Sequence, residues 1–87
     1  MMNKPVWSDD ELKMVLTYIK REDLIPNVLH NSYERNKIVQ VFQGLAYTWP
    51  SLKELMSIPN DDEALSLQLK FNAGLAWLKL DYLINVD

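Results

Sequence analysis

Few residues of this chain belong to the types that perform acid–base, metal or nucleophilic chemistry. His30 is the only histidine, and cysteine is absent. A single imidazole cannot form a histidine-rich metal site or act together with a second imidazole. Without a thiol there is no thiolate ligand, cysteine nucleophile or disulfide. A general base at His30 is conceivable, but a lone histidine beside apolar residues is more often structural, and we assign it no role.

Two acidic triplets, at residues 9–11 and 61–63, carry the oxygen ligands that hard cations prefer. Neither has the spacing and glycine of a calcium loop. Each stands instead where a helix is predicted to begin, and there the helix dipole favours acidic side chains. Gly44 and Gly74 cannot build a phosphate loop, and no serine lies in a nucleophile elbow. We therefore predict that the chain is not an enzyme and has no cofactor and no metal.

The composition is that of a globular protein. The chain has 87 residues, of which 48% are hydrophobic and 24% charged, and we expect a single helical domain over residues 1–87. A net charge of -3 argues weakly against non-specific binding of nucleic acid. No stretch has the length of a signal peptide or a membrane helix. The expected localisation is cytoplasmic, with no membrane partner.

Four helix-start signals pair a small polar residue with a glutamate three residues later. The pairs are Ser8 with Glu11, Asn31 with Glu34, Ser51 with Glu54, and Asn60 with Glu63. They predict longer helices at about residues 9–20, 31–47 and 60–83, and one short helix at 51–57. Pro26 is expected to force Ile25 out of the helical region, which leaves residues 22–30 as a connection that can include one short helical turn.

Residues 60–86 contain the densest run of large apolar side chains. From Leu65 to Phe71 they alternate with polar residues, as in a strand, and a hairpin turning near Gly74 is the alternative structure. Residues 60–83 contain no valine, isoleucine or threonine, however, and consist mainly of good helix formers. We therefore predict a helix here, at the centre of an all-α bundle.

Wound as a helix, this stretch has two opposed apolar stripes. The first stripe consists of Ala64, Leu67, Phe71, Leu75, Leu78 and Tyr82. The second stripe consists of Leu65, Leu69, Ala73, Ala76, Leu80 and Leu83. Two other long helices offer limited material to cover both stripes. We expect the first to lie in the core, and the second to be covered either by a second subunit or by the connection at residues 22–30.

The absence of catalytic parts indicates a protein that acts by stoichiometric protein–protein binding, as an inhibitor, immunity protein, antitoxin or phage-type modulator does. We expect self-association as a homodimer, because a two-fold dimer is the commonest way to cover an apolar strip. An exposed tryptophan among polar groups is also a candidate for an interface. The predicted partner-binding residues are Leu65, Leu69, Lys70, Ala73, Ala76, Trp77, Leu80 and Asp81.

A helix-turn-helix regulator is the alternative function, because residues 38–58 combine a helix, a tight break and a short helix. The break contains Trp49 and Pro50, where a glycine is common. The helix that would read DNA offers only Lys53, next to Glu54. We therefore do not expect nucleic acid to be the partner.

Overall fold

The computed structural model describes residues 7–84; residues 1–6 and 85–87, including the end of the apolar stretch at Val86, lie outside the described part. All regular elements between residues 7 and 84 are helical, so the predicted all-α class is confirmed and the hairpin alternative is excluded there. The five α-helices are α1 (Asp9–Tyr18), α2 (Ile25–His30), α3 (Ser32–Gly44), α4 (Trp49–Met56) and α5 (Asp61–Trp77). Short 3-10 turns lie at Glu22–Leu24 and Asp81–Leu83.

Three of the predicted helix starts are present. The Ser8 hydroxyl accepts the amide of Glu11 at 3.2 Å, and the Ser8 amide donates to the Glu11 carboxylate at 2.8 Å. The side-chain oxygens of Asn31 and Asn60 likewise accept amides from the first turns of α3 and α5. These bonds satisfy amides that have no partner within the helix.

The fourth predicted start is wrong by three residues. Helix α4 is capped by Thr48, whose hydroxyl accepts the amide of Ser51 at 3.3 Å, while the Ser51 hydroxyl accepts the Thr48 amide at 3.0 Å. Trp49 and Pro50 therefore belong to the first turn and do not break the chain. Proline is compatible with this position because the first amides of a helix make no bond within it.

The predicted effect of Pro26 is also wrong. Ile25 has helical torsion angles (φ -58°, ψ -47°) and opens α2, with Pro26 in the first turn. The preference of a residue before proline for extended backbone is statistical, and here burial of the next turn through Val28 outweighs it. The segment predicted as a connection thus contains a complete short helix, which packs against α1 and α3.

Three helices end at a non-glycine residue in the left-handed region: Lys20 (φ 60°), Ala46 (φ 67°) and Lys79 (φ 63°). After each of them the next amide donates to a carbonyl five residues earlier, as in a Schellman motif. These ends make α3 and α5 shorter than predicted, since the expected ends were near residues 47 and 83. Periodic apolar residues continue along the sequence beyond both helix ends, so the apolar pattern alone could not show where α3 and α5 end.

The core is centred on two phenylalanines from different helices. Phe42 of α3 and Phe71 of α5 stack with their ring centroids 4.8 Å apart, and Trp7 lies 5.4 Å from Phe42. The predicted burial of Phe42, Phe71 and Leu75 is confirmed. Leu45 and Leu78, which were also predicted to be deep in the core, are only half-buried because they stand at helix ends.

Candidate functional site

Helix α5 presents a buried side and an exposed side. The side that faces the core carries the first four residues of the first stripe: Ala64, Leu67, Phe71 and Leu75. Tyr82, predicted for the same stripe, lies beyond the end of the helix and is exposed. The opposite side of α5 carries exposed hydrophobic side chains.

We define the α5 face as the exposed apolar residues Leu65, Leu69, Ala73, Ala76 and Trp77. Their spacing of three or four residues places them in one continuous strip along the helix. The side chain of Leu69 is 59% exposed, and that of Trp77 is 83% exposed. Such a strip is unusual, because large apolar side chains on a small protein are more often scattered singly.

Leu80 does not belong to this face, although it was predicted as a partner-binding residue of the second stripe. The left-handed turn at Lys79 directs the chain back across the helix end, and the Leu80 amide donates to the Leu75 carbonyl at 2.6 Å. Leu80 is consequently only 5% exposed, and Leu83 is also buried. Asp81, another predicted partner-binding residue, is exposed at the start of the last 3-10 turn.

A groove of about 620 Å³ lies beside the α5 face, between α3 and α5. Its walls include three predicted partner-binding residues, Lys70, Ala73 and Trp77, together with Val41 and Leu78. The volume is within the range of pockets that receive a ligand or a partner's side chain. The structure therefore brings part of the predicted site together with residues of α3 that the sequence did not indicate.

Both glycines of the described chain line this groove, for different reasons. A Cβ atom on Gly74 would lie 2.6 Å from Cγ1 of Val41, so glycine is needed for the close approach of α5 to α3. A Cβ atom on Gly44 would meet no atom within 4 Å. Gly44 therefore leaves the upper part of the groove open and does not mediate helix packing.

The polar strip between the two stripes serves the monomer itself. Asn72 accepts a hydrogen bond of 2.6 Å from the Arg21 guanidinium, and the Gln68 amide donates to the Ile19 carbonyl at 3.0 Å. Both bonds attach α5 to the end of α1. Sequence reasoning left these residues without partners, because they are far from α1 along the chain.

Arg21 is the most important polar residue that the sequence analysis missed. It is only 3% exposed, and Asp23 accepts two hydrogen bonds of 3.1 Å from its guanidinium. The same group donates to Asn72 and to the carbonyl of Leu83. Arginine can do this because its planar group has five donors in a fixed arrangement. An arginine followed by two acidic residues, in a charged run between the apolar residues Ile19 and Leu24, was the available signal.

Two titratable side chains, those of His30 and Tyr82, are exposed in the structure. His30 lies exposed at the end of α2. The Tyr82 hydroxyl donates to Glu34 at 2.8 Å, and this bond raises the pKa of Tyr82. Across residues 7–84, no three histidine or acidic side chains come together as metal ligands would.

The segment considered as a helix-turn-helix comprises α3, the turn at residues 45–48, and α4. The α4 helix packs mainly against α1. Its exposed side chains include Ser51, Lys53 and Glu54, so one positive charge is accompanied by one negative charge. This surface has little of the positive charge that phosphate contacts require.

Comparisons with protein-family models, with curated proteins and with solved structures found no match to this chain. In the part of the chain that the structure describes, no helix is both long enough and apolar enough to cross a membrane.

Proposed function

We propose that this chain acts by stoichiometric protein–protein binding through the α5 face and the adjoining groove. The observation that carries the proposal is the exposure of Trp77 beside the groove, at the end of the strip that contains Leu65 and Leu69. Tryptophan is enriched among residues that dominate binding energy, because a partner buries its large surface. In this proposal the helical bundle is arranged around α5, whose core side supports the face rigidly.

The geometry suits a protein partner, because the side chains of a protein can both fill a recess and pack around a projecting group. The face offers projecting groups at Leu69 and Trp77, and the groove offers a recess lined by Ala73 and Val41. Projections and recesses next to one another allow the interdigitation that protein interfaces need. Lys70 at the groove adds a positive charge where an acidic or carbonyl group of the partner would be recognised. A protein inhibitor, immunity protein, antitoxin or phage-type modulator would use such a surface without catalysis.

Affinity capture from the native host, followed by mass spectrometry, tests this proposal. The wild type and the Leu69→Glu and Trp77→Ala variants serve as baits. Met14→Glu is the matched control, because Met14 is 52% exposed on α1 and Leu69 is 59% exposed on α5. We expect one or a few proteins to be retained by the wild type and the control and lost from both α5 variants. Equal retention by all four baits would contradict a role for the α5 face.

DNA binding remains the alternative proposal, supported by the four-residue turn between α3 and α4. It requires affinity for duplex DNA that falls steeply with salt and depends on Lys53. Titration of the wild type and Lys53→Glu with duplex DNA at two salt concentrations distinguishes the two functions. We expect no salt-sensitive binding, and its detection would favour the regulator.

A further inference from the structure

We infer that the groove between α3 and α5 binds a small amphipathic monocarboxylate, whose carboxylate lies beside Lys70 and whose apolar body lies along the groove. This inference goes beyond the proposed function, because it assigns to the groove a small-molecule ligand that protein–protein binding does not require. Three properties of the groove support it: the apolar surface at its base, the charge of its lining, and its size.

The base of the groove is apolar and already formed. Val41, which is only 2% exposed, faces Gly74 where α3 and α5 come close together. Leu45 and Leu78 also line the groove and are half-buried. Gly44 has no side chain, so the recess beside it stays open. A ligand therefore finds apolar surface in a concave site and requires no rearrangement of the two helices.

The charge of the lining is positive. Of the described residues that line the groove, Lys70 alone is charged, although the chain as a whole has a net charge of -3. Lys70 is exposed, and within residues 7–84 it belongs to no ion pair. The exposed side chains of Gln40 and Gln43 supply further amide donors. A single ammonium group matches a carboxylate better than a phosphate monoester, which carries nearly two negative charges.

The direction of the helices determines which end of the groove holds the carboxylate. Glu34, near the start of α3, accepts a hydrogen bond from Tyr82, which lies beyond the end of α5. Val41, later in α3, faces Gly74, which is earlier along the chain than Tyr82. The two helices therefore run in opposite directions, and Lys70 lies towards the end of α3. The apolar body of the ligand then extends towards the last turn of α5.

The end of α3 carries the negative end of a helix dipole, which by itself would disfavour an anion. The amides of residues 45–47, however, donate to the carbonyls of residues 41–43. These bonds satisfy carbonyls that would otherwise have no partner at the helix end. The ammonium group of Lys70 is therefore the main charge at this end of the groove.

The size of the groove fits a small molecule. Its volume of about 620 Å³ is within the range of small-molecule pockets. From Lys70 to Leu78 it follows α5 for about 12 Å, at 1.5 Å per residue. An aliphatic monocarboxylate of medium length, such as octanoate, fits this distance. Because such a ligand has few atoms, we expect a dissociation constant on the order of 1 mM.

Octanoate, octanamide and octylammonium test the inference, because they share one apolar body and differ in the charge of the head group. Two-dimensional proton–nitrogen NMR of the full chain detects binding through Gly44 and Gly74, which are its only glycines and both line the groove. We expect octanoate to shift both amide signals to saturation. Octanamide should bind about three- to fivefold more weakly, and octylammonium more weakly still.

Two results of these titrations would overturn the inference. Octanoate that shifts neither glycine signal at concentrations up to about 10 mM would show that the groove does not bind such a ligand. Equal affinity for the three probes would show that the head group is not recognised.

Lys70→Gln tests the charge separately from the recess. It should lower the affinity for octanoate by about three- to fivefold and leave the affinity for octanamide unchanged, since only the carboxylate interacts with the ammonium group as an ion. Lys53→Gln, at an exposed position of α4, is the control and should bind octanoate as the wild type does. A Lys70→Gln variant with the wild-type preference for octanoate would exclude recognition by Lys70.

Gly44→Leu tests the recess, because its side chain would occupy the open space beside α3. It should abolish the binding of octanoate and octanamide alike, as reported by the Gly74 amide and the Trp77 indole. Asn36→Leu is the control, since Asn36 is an exposed residue of α3 outside the groove lining. Far-UV circular dichroism verifies that each variant is folded. Undiminished binding by Gly44→Leu would place the ligand outside the groove and contradict the inference.

Other occupants of the groove give different results. If the glycine signals shift with protein concentration and not with octanoate, a second copy of the chain fills the groove and the inference is wrong. If octanoate does not bind but Leu69→Glu still abolishes protein capture, the inference fails and the proposed function is retained. If octanoate binds in the groove and no protein is captured, the inference is retained and the proposed function fails.

Discussion

Arg21 illustrates how one buried side chain can join distant parts of a small helical protein. Its guanidinium contacts Asp23 after α1, Asn72 on α5 and the Leu83 carbonyl in the last turn. The cost of burying this charge is offset by a nearby carboxylate and by several hydrogen bonds. The bond to Leu83 therefore links the last turn to the residues that follow α1.

We predict that Arg21→Lys lowers the free energy of unfolding by on the order of 2 kcal/mol, since a lysine cannot satisfy these acceptors simultaneously. Urea denaturation followed by far-UV circular dichroism measures the change. Lys13→Arg, an exchange at an exposed position of α1, is the control and should remain within about 0.5 kcal/mol of the wild type. Equal stability of Arg21→Lys and the control would mean that the network contributes little.

Tyr18 presents the opposite situation, a buried hydroxyl that has no hydrogen-bond partner among the described residues. Desolvation, followed by the charges of Glu63 and Asp61, raises the pKa of Tyr18 above 10.0. The folded chain therefore holds this proton more firmly than the unfolded chain. The stability present below pH 10 is lost as the pH rises through the raised pKa.

Tyr18→Phe should consequently raise the free energy of unfolding at neutral pH by up to about 1 kcal/mol, because it removes an unsatisfied polar group. It should also reduce the loss of stability above pH 10. Thermal melts at pH 7 and between pH 9 and 11 provide both comparisons, with Tyr33→Phe as a control at an exposed tyrosine. A Tyr18→Phe variant less stable than the wild type at pH 7 would indicate a hidden partner for the hydroxyl.

At the scale of the elements, the helix ends determine which residues reach the surface. Lys79 in the left-handed region terminates α5 and carries Leu80 into the core. A helix continuing to residue 83 would have placed Leu80 on the second stripe. The end of one helix therefore separates the α5 face from the rest of the predicted stripe.

The left-handed residue after α3 allows a direct test of this type of helix end. Ala46→Gly should stabilise the protein by up to about 1 kcal/mol, because glycine adopts φ 67° without the steric cost of a Cβ atom. Ala73→Gly, the same exchange at an exposed position inside α5, should destabilise it by about 0.5–1 kcal/mol. Chemical denaturation of both variants measures the two changes in the free energy of unfolding. The same sign at both positions would contradict the left-handed assignment.

At the scale of the whole molecule, the closest approach of α3 to α5 depends on one glycine, whereas the groove beside it depends on the other. Gly74 faces Val41, a stiff, β-branched and buried side chain. Gly44 faces open space at the end of α3. Gly74 therefore permits the close packing of α5 on α3, and Gly44, which lines the same groove, leaves that groove open.

Exchange of each glycine for alanine should have opposite effects. Gly74→Ala should lower the melting temperature, because the clash with Val41 costs about 1–3 kcal/mol and exceeds the gain in helix propensity. Gly44→Ala should raise it, by the equivalent of about 0.5–1 kcal/mol. Differential scanning calorimetry compares the two variants. A more stable Gly74→Ala would show that α3 and α5 are further apart than in this structure.

The sequence by itself determined the class of the fold and most helix starts. Capping depends on residues only two or three positions apart, so Ser8, Asn31 and Asn60 could be recognised locally. The core side of α5 followed from the spacing of Leu67, Phe71 and Leu75, because helical periodicity is also local. The exclusion of strands rested on the scarcity of β-branched residues after Asn60.

Only the tertiary structure decided where α3 and α5 end, which residues are bonded to Arg21, and which part of the second stripe is exposed. These features depend on contacts between residues far apart along the chain, such as Arg21 with Asn72 and Gly74 with Val41. Left-handed residues other than glycine have no strong local signature, so Lys79 could not be recognised as a helix end. The α5 face is the part of an apolar pattern that packing within the monomer left uncovered.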